Sequence, residues 1–197
     1  MQPSRAVSLV FVLFTSLAIG IPEAMGQWGR QRIPDNLEYD IFPGNCFTFC
    51  RVQYSSLDRG RRGWGGSWRT DYPDWDLNFS QRLSELTSIR LNRDEQGQIQ
   101  HAIVRLTDES LFNYPFVYMI EVGSLVFHEE EIPRLREYLL RGGFLMVDDF
   151  WGQAAWENFA AEMGRVLPPT EYPIVDIPLS HPIFHIVIDI KAYPQIP

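Results

Sequence analysis

The residues whose types could do chemistry stand in three short groups. Asp148 and Asp149 follow the apolar run Phe144–Val147 without a gap. Asp71, Asp74 and Asp76 crowd together ahead of an amphipathic stretch, and His181 and His185 lie near the C-terminus. Carboxylates with imidazoles are the donor set of a hard or intermediate divalent ion, and such an ion can activate water for hydrolysis. The candidate metal ligands are therefore Asp71, Asp76, Asp148, Asp149, His181 and His185, with Asp148 and Asp149 as the candidate catalytic groups. The same residues have a plainer use. Aspartates after strands cap helices and bind turn amides, and a histidine beside Pro182 braces a loop. Capping is the expected role, with a divalent-ion or polar-ligand site and metal-free acid–base catalysis as the alternatives. Asp108 and Glu109, after another strand, belong to the same discussion. Trp151 and Trp156 are expected to plug a turn and pack inward.

Two further groups are weaker. Cys46 and Cys50 share one face of a strand but stand about 13 Å apart at ~3.3 Å per residue, too far for a bridge within a straight strand. They read first as packing residues, with a disulfide across a local bend or a catalytic cysteine as alternatives. The stretch 59–69, RGRRGWGGSWR, mixes arginine, tryptophan and glycine. Arg61, Arg62, Trp64, Trp68 and Arg69 could stack on a ligand or partner; the blander role, arginines offsetting an acidic body, is the expected one. Several motifs are absent. No Gly-x-Gly-x-x-Gly follows the first strand, the only lysine is Lys191, and Gly-x-Ser-x-Gly, His-Glu-x-x-His and Cys-x-x-Cys do not occur. No cofactor is indicated beyond the candidate ion.

The elements that position these groups follow from periodicity. Phe47–Tyr54 reads as a first strand. Asn78 with Gln81 three residues on forms a capping box, and Phe79, Leu83, Leu86 and Ile89 recur at helical spacing. Asp94–Gly97 is a turn, Ile99–Leu106 a strand, and Phe116–Val122 is apolar enough for a central parallel strand. Glu129–Glu131 opens a second helix, with Pro133 in its first turn and Gly142 at its end. Phe144–Val147 is a buried strand. A third helix spans about 153–163 with Gly164 at its exit, and short extended pieces follow at 174–177 and 186–190. Buried strands alternating with amphipathic helices predict a three-layer, doubly wound α/β domain with a largely parallel sheet. Ligands of such sheets sit at the carboxyl ends of the strands, where Asp148 and Asp149 fall.

Composition limits the function. The 197 residues carry 17 basic and 25 acidic side chains, a net charge of −8 and a pI near 5.0. A nucleic-acid partner, which needs a basic footprint, is thereby disfavoured. Met1–Arg5 is a short basic start, Ala6–Ile21 is almost wholly apolar, and Ala24-Met25-Gly26 fits a signal-peptidase site. Residues 1–26 are read as a signal peptide, 27–44 as an N-terminal arm and 45–197 as one α/β domain. The expected location is exported, periplasmic or extracellular, with no membrane span after cleavage. A protein or cell-wall glycan partner suits that setting.

Three segments carry a resemblance. Thr70-Asp71-Tyr72-Pro73-x-x-Asp76, Tyr138-Leu139-x-x-Gly142-Gly143-Phe144-Leu145-x-x-Asp148-Asp149-Phe150-Trp151-Gly152 and His181-Pro182-Ile183-Phe184-His185 resemble the exported bacterial family called domain of unknown function 4159, over roughly 45–197. The resemblance implies a flavodoxin-like fold similar to class I glutamine amidotransferases, and a chain that continues past Pro197. In those enzymes a Gly-Gly and a buried strand precede a nucleophilic cysteine. Here Gly142-Gly143 and the strand match, but the corresponding position is Asp149, which argues against glutamine hydrolysis. The expected function is an exported, non-enzymatic binding or assembly module; the alternative is a metal-assisted hydrolase using the 148–149 edge.

Overall fold

The computed structural model describes residues 45–57 and 68–193. The stretches expected to be a signal peptide and an N-terminal arm, Arg61, Arg62, Trp64 and residues 194–197 lie outside the described residues. The chain divides into two compact units, and the larger, Asn36–Ile174, holds every strand and α-helix of the described residues.

Its strands are β1 (Phe49–Val52), β2 (Ser55–Ser56), β3 (His101–Val104), β4 (Phe116–Ile120), β5 (Leu125–Val126) and β6 (Phe144–Asp148). Its helices are α1 (Asp74–Leu86), α2 (Glu131–Leu140) and α3 (Gln153–Val166). Four strands form an all-parallel sheet in the order β3-β1-β4-β6. β1 and β4 are central and covered on both faces, which explains why β4 is apolar throughout and β1 apolar apart from Arg51. Side chains alternate across the sheet. On one face Phe49, Tyr118 and Ile120 pack with Trp75 and Phe79 of α1. On the other, Cys50, Val52, Val117 and Met119 meet Leu135 and Tyr138 of α2 and Phe159 of α3. The result is a three-layer α/β unit.

Several details depart from the sequence reading. α1 begins at Asp74, one turn before Asn78, because Asp71 O and Pro73 O already accept the amides of Trp75 and Leu77 at 2.9 and 3.1 Å. Leu86 and Ile89 are correspondingly exposed, and the helix buries Asp76 and Ser80 instead. α3 runs through Gly164 to Val166. A mid-helix glycine costs about 1 kcal/mol, which the full burial of Val166 and the Leu167 N–H on Met163 O outweigh. β6 is an edge strand rather than a buried one, and Phe144 is 57% exposed. β2 and β5 form an antiparallel ribbon too short to leave a periodic signal. Residues 174–177 and 186–190 form no strand.

α2 ends as expected. Gly142 sits at φ +94°, its N–H bonds Leu139 O and the N–H of Gly143 bonds Tyr138 O, each at 3.0 Å. These are the two bonds of a Schellman motif, which needs a left-handed residue at Gly142.

In the second unit, residues 175–193 are described. They contain one short 3-10 turn, Pro182–His185, and Phe184 is buried with its ring edge-on to Tyr193 at 5.8 Å. Among the described residues no helix is long and apolar enough to cross a membrane.

Candidate functional site

The polar centre of the larger unit is an arginine in the middle of the sheet. Arg51, on β1, is fully buried and paired with Asp76, equally buried, on α1. Its Nε donates to both Asp76 oxygens at 3.0 and 3.2 Å, Nη2 donates to Oδ1, and Nη1 donates to Trp68 O and Thr70 O at 2.8 and 2.9 Å. The guanidinium lies over the Tyr118 ring at 5.1 Å and the Tyr72 ring at 5.7 Å. Burial pushes the Asp76 carboxyl up, against the lowering effect of Arg51. Asp76 is thus occupied by Arg51, and Arg51 in turn fixes the backbone that leads into Asp71.

From Tyr118 the polar path reaches the carboxyl edge. Its hydroxyl donates to Asp148 Oδ2 at 3.2 Å, while Asp148 Oδ1 accepts the Asp149 N–H at 2.8 Å. Asp148 is 5% exposed, and burial raises its pKa, with Asp149 and Asp71 adding to the effect. Asp149 turns outward and accepts the Trp151 indole N–H at 2.8 Å, leaving Trp151 54% exposed.

Glu121, which follows β4, joins this edge and was missed by the sequence reading. Its position directly after an apolar strand, as with Asp148, is the signal that could have found it. Its pKa is raised by burial, then by Asp149 and Asp71. Asp71, Glu121 and Asp149 all adopt left-handed backbone, φ +56°, +58° and +48°. Such strain collects at ligand sites and switches. Ionising Glu121 and Asp148 works against the fold, so their contribution improves as pH falls from neutral toward the ordinary carboxyl range. Among the described residues no group of three His, Cys, Asp or Glu side chains is placed to hold a metal ion.

The ordinary ligand crevice of a doubly wound sheet lies between the loops after its two switch-point strands, here β1 and β4. Those loops are joined to each other. Tyr54 donates its hydroxyl to Ile120 O and Glu121 O at 2.6 and 2.9 Å, Ser55 and Ser56 pair with Val126 and Leu125, and Leu57 N–H bonds Ser124 O at 2.8 Å. The carboxylates of the edge gather instead after β4 and β6 and ahead of α1, where Asp71 and Asp149 act on Glu121 and Asp148.

The remaining candidates have other surroundings. Trp68 packs against the core with Arg69 over its ring at 5.0 Å. Phe150 and Trp156 stack at 6.4 Å. Cys50 is fully buried and Cys46 partly so; both are free thiols, and burial pushes Cys50 well up. Asp108 binds the Arg105 amide at 2.7 Å. His181 and His185 belong to the second unit. His181 Nδ1 accepts the Ile183 N–H at 3.2 Å, and His185 bonds Asp189 Oδ1 at 2.6 Å and Leu179 O at 2.9 Å.

His101, at the start of β3, bears a pH dependence. Its Nε2 meets the Tyr72 hydroxyl at 2.8 Å, and its buried Nδ1 has no partner among the described residues. Burial, then Arg51, holds its pKa below the ordinary imidazole value. Below about pH 6.5 the unfolded chain takes up a proton that the folded chain resists. The stability of the protein relative to His101→Gln is therefore expected to be constant above that pH and to fall as pH drops to the folded pKa. Urea melts of both proteins between pH 5 and 8 measure it; a parallel pH dependence in the two would remove His101 from the account.

No curated protein matches the chain. Residues 48–197 match the family model described as Domain of unknown function (DUF4159), so the segment holding Arg51, the three-layer sheet and the carboxylate edge is the segment that the family shares. The chain belongs to the DUF4159 family.

Proposed function

We propose that the domain is an exported binding module that holds a hydroxyl-rich cell-wall glycan at its carboxyl edge, and that this edge is non-enzymatic. One observation carries the reading: the acids there are engaged in positioning one another and an exposed indole. Both Asp148 oxygens are taken by Tyr118 and the Asp149 amide, and Asp149 holds Trp151 with its ring half open to solvent. An aromatic face beside fixed acceptors suits a sugar, whose C–H face stacks while its hydroxyls donate to carboxylates. The metal-assisted hydrolase has less support, since the described donors do not form a cluster. The bridge across the switch point also speaks against a nucleotide there. The finer fold assignment, flavodoxin-like and similar to glutamine amidotransferases, belongs to the same proposal. Counting only the parallel strands, the sheet order is 2-1-3-4, the start of the flavodoxin order.

Thermal melting of the full chain tests the reading. Soluble cell-wall glycan fragments at about 100 times Kd should add about 2.7 kcal/mol of stability, raising Tm by several degrees in wild type and not in Trp151→Ala. Mg²⁺, Mn²⁺, Ca²⁺ and Zn²⁺ should leave Tm unchanged. No response to glycan would remove the glycan reading. A rise with one ion, abolished in Asp148→Asn, would replace it with the metal-dependent hydrolase.

A further inference from the structure

Apart from the carboxylates, Ser55 and His128 have the geometry of a serine nucleophile and its base. Ser55 Oγ lies 2.9 Å from His128 Nε2, within the reach such pairs require. They come from the two sides of the antiparallel ribbon: Ser55 opens β2, and His128 follows β5. Ser55 pairs with Val126, so Ser55 and His128 fall on the same face.

The backbone that carries the base is held on both sides. His128 N–H donates to Glu131 Oε2 at 2.8 Å, and Glu131 N–H donates back to His128 O at 3.0 Å, a reciprocal clasp at the start of α2. The residue before it is held by α3: Phe127 N–H donates to Glu162 Oε2 at 2.8 Å, and Arg165 Nη1 donates to Phe127 O at 2.9 Å. Asn158 Nδ2 donates to Leu125 O at 2.9 Å. Reactive pairs need such support to keep their geometry.

A donor for a developing negative charge stands next to the serine. Bonded and non-bonded pairs alternate along an antiparallel ladder. Leu57 bonds Ser124, so Ser56 opposite Leu125 is in the non-bonded position and its N–H points away from the ribbon. Acyl-transfer sites draw an oxyanion donor from the residue after the nucleophile.

We propose that Ser55 and His128 form a nucleophile–base pair that cleaves small, accessible O-acyl esters. Ser55 Oγ bonds to the ester carbonyl carbon as His128 Nε2 takes the hydroxyl proton, and the oxyanion faces the Ser56 N–H. On collapse the bond to the alcohol oxygen breaks, and Nε2 returns the proton to that oxygen. Water then attacks the acyl-serine, losing its proton to Nε2; the carboxylic acid departs and Ser55 regains its proton. Water is the only co-reactant. The proposal is independent of glycan binding, since it uses none of the edge carboxylates.

Its test is phosphonylation of the full chain by a fluorophosphonate probe, with no glycan present, followed by peptide mass spectrometry. Ser55 Oγ should bond to phosphorus with loss of fluoride, giving one labelled tryptic peptide, Val52–Arg59. Ser55→Ala should remove the label, and His128→Gln should slow labelling about 10²–10⁴-fold while both variants melt like wild type. Wild-type protein that stays unlabelled overturns the proposal without reference to any variant. Equal labelling of Ser55→Ala, or a rate indifferent to His128→Gln, overturns it as well.

Discussion

Asp76→Ala is expected to destabilise the protein by about 3–5 kcal/mol, the cost of leaving a buried charge without its partner. An arginine keeps its charge in a protein, and here both side chains are fully buried, with two tyrosine rings against the guanidinium. For a domain of this size the loss corresponds to roughly 2–4 °C per kcal/mol in Tm. Arg51→Met with Asp76→Leu should recover most of it, because removing both charges also removes the desolvation cost. Urea denaturation of the wild type, Asp76→Ala and the double variant measures the three values. A double variant as unstable as Asp76→Ala would mean that the backbone bonds to Trp68 and Thr70, not the ion pair, carry the effect.

Gly143→Ala should be the more damaging of two neighbouring glycine substitutions. A Cβ at Gly143 would lie 2.4 Å from the Tyr138 ring, whereas nothing stands within 4 Å of a Cβ at Gly142. Tyr138 cannot easily yield, since it is buried and its hydroxyl donates to Tyr114 O at 2.8 Å. Overpacking of this kind costs about 1–3 kcal/mol or more. Gly142→Ala meets only the left-handed backbone penalty of about 1–2 kcal/mol, and Gly142→Asn should recover part of that. Thermal melts of the three variants decide the matter, and an equal loss at both positions would contradict the steric account.

What the sequence revealed depended on how local the signal was. The parallel strands, the three helices and the glycine end of α2 announce themselves within windows of a dozen residues. The placement of Asp148 at the carboxyl edge follows from its strand alone. Arg51 does not show this way: inside an apolar strand, a charged residue acquires meaning only from Asp76, 25 positions later. Ser55 and His128 are separated by 73 positions, so no spacing rule joins them. The β2–β5 ribbon was hidden because two-residue strands have no period. α1 was misplaced by a turn because a recognisable capping box at Asn78 competed with backbone acceptors at Asp71 and Pro73, and the backbone prevailed. The two histidines fell beside the aspartates in the argument from residue type, yet they belong to a different compact unit.

The buried arginine also bears on which strand alignments the chain can accept. β1, β3 and β4 are short and apolar, and apolar strands slide past one another at little cost when nothing distinguishes their residues. Slippage by one position would turn Arg51 to the opposite face of the sheet, among Leu135, Tyr138 and Phe159. Asp76, its partner on α1, would be left on the other face. The misaligned sheet would carry an unpaired cation in hydrocarbon, a penalty larger than any single apolar contact could offset. Arg51 therefore acts as a key in β1 that admits one alignment of the central strands and rejects its neighbours.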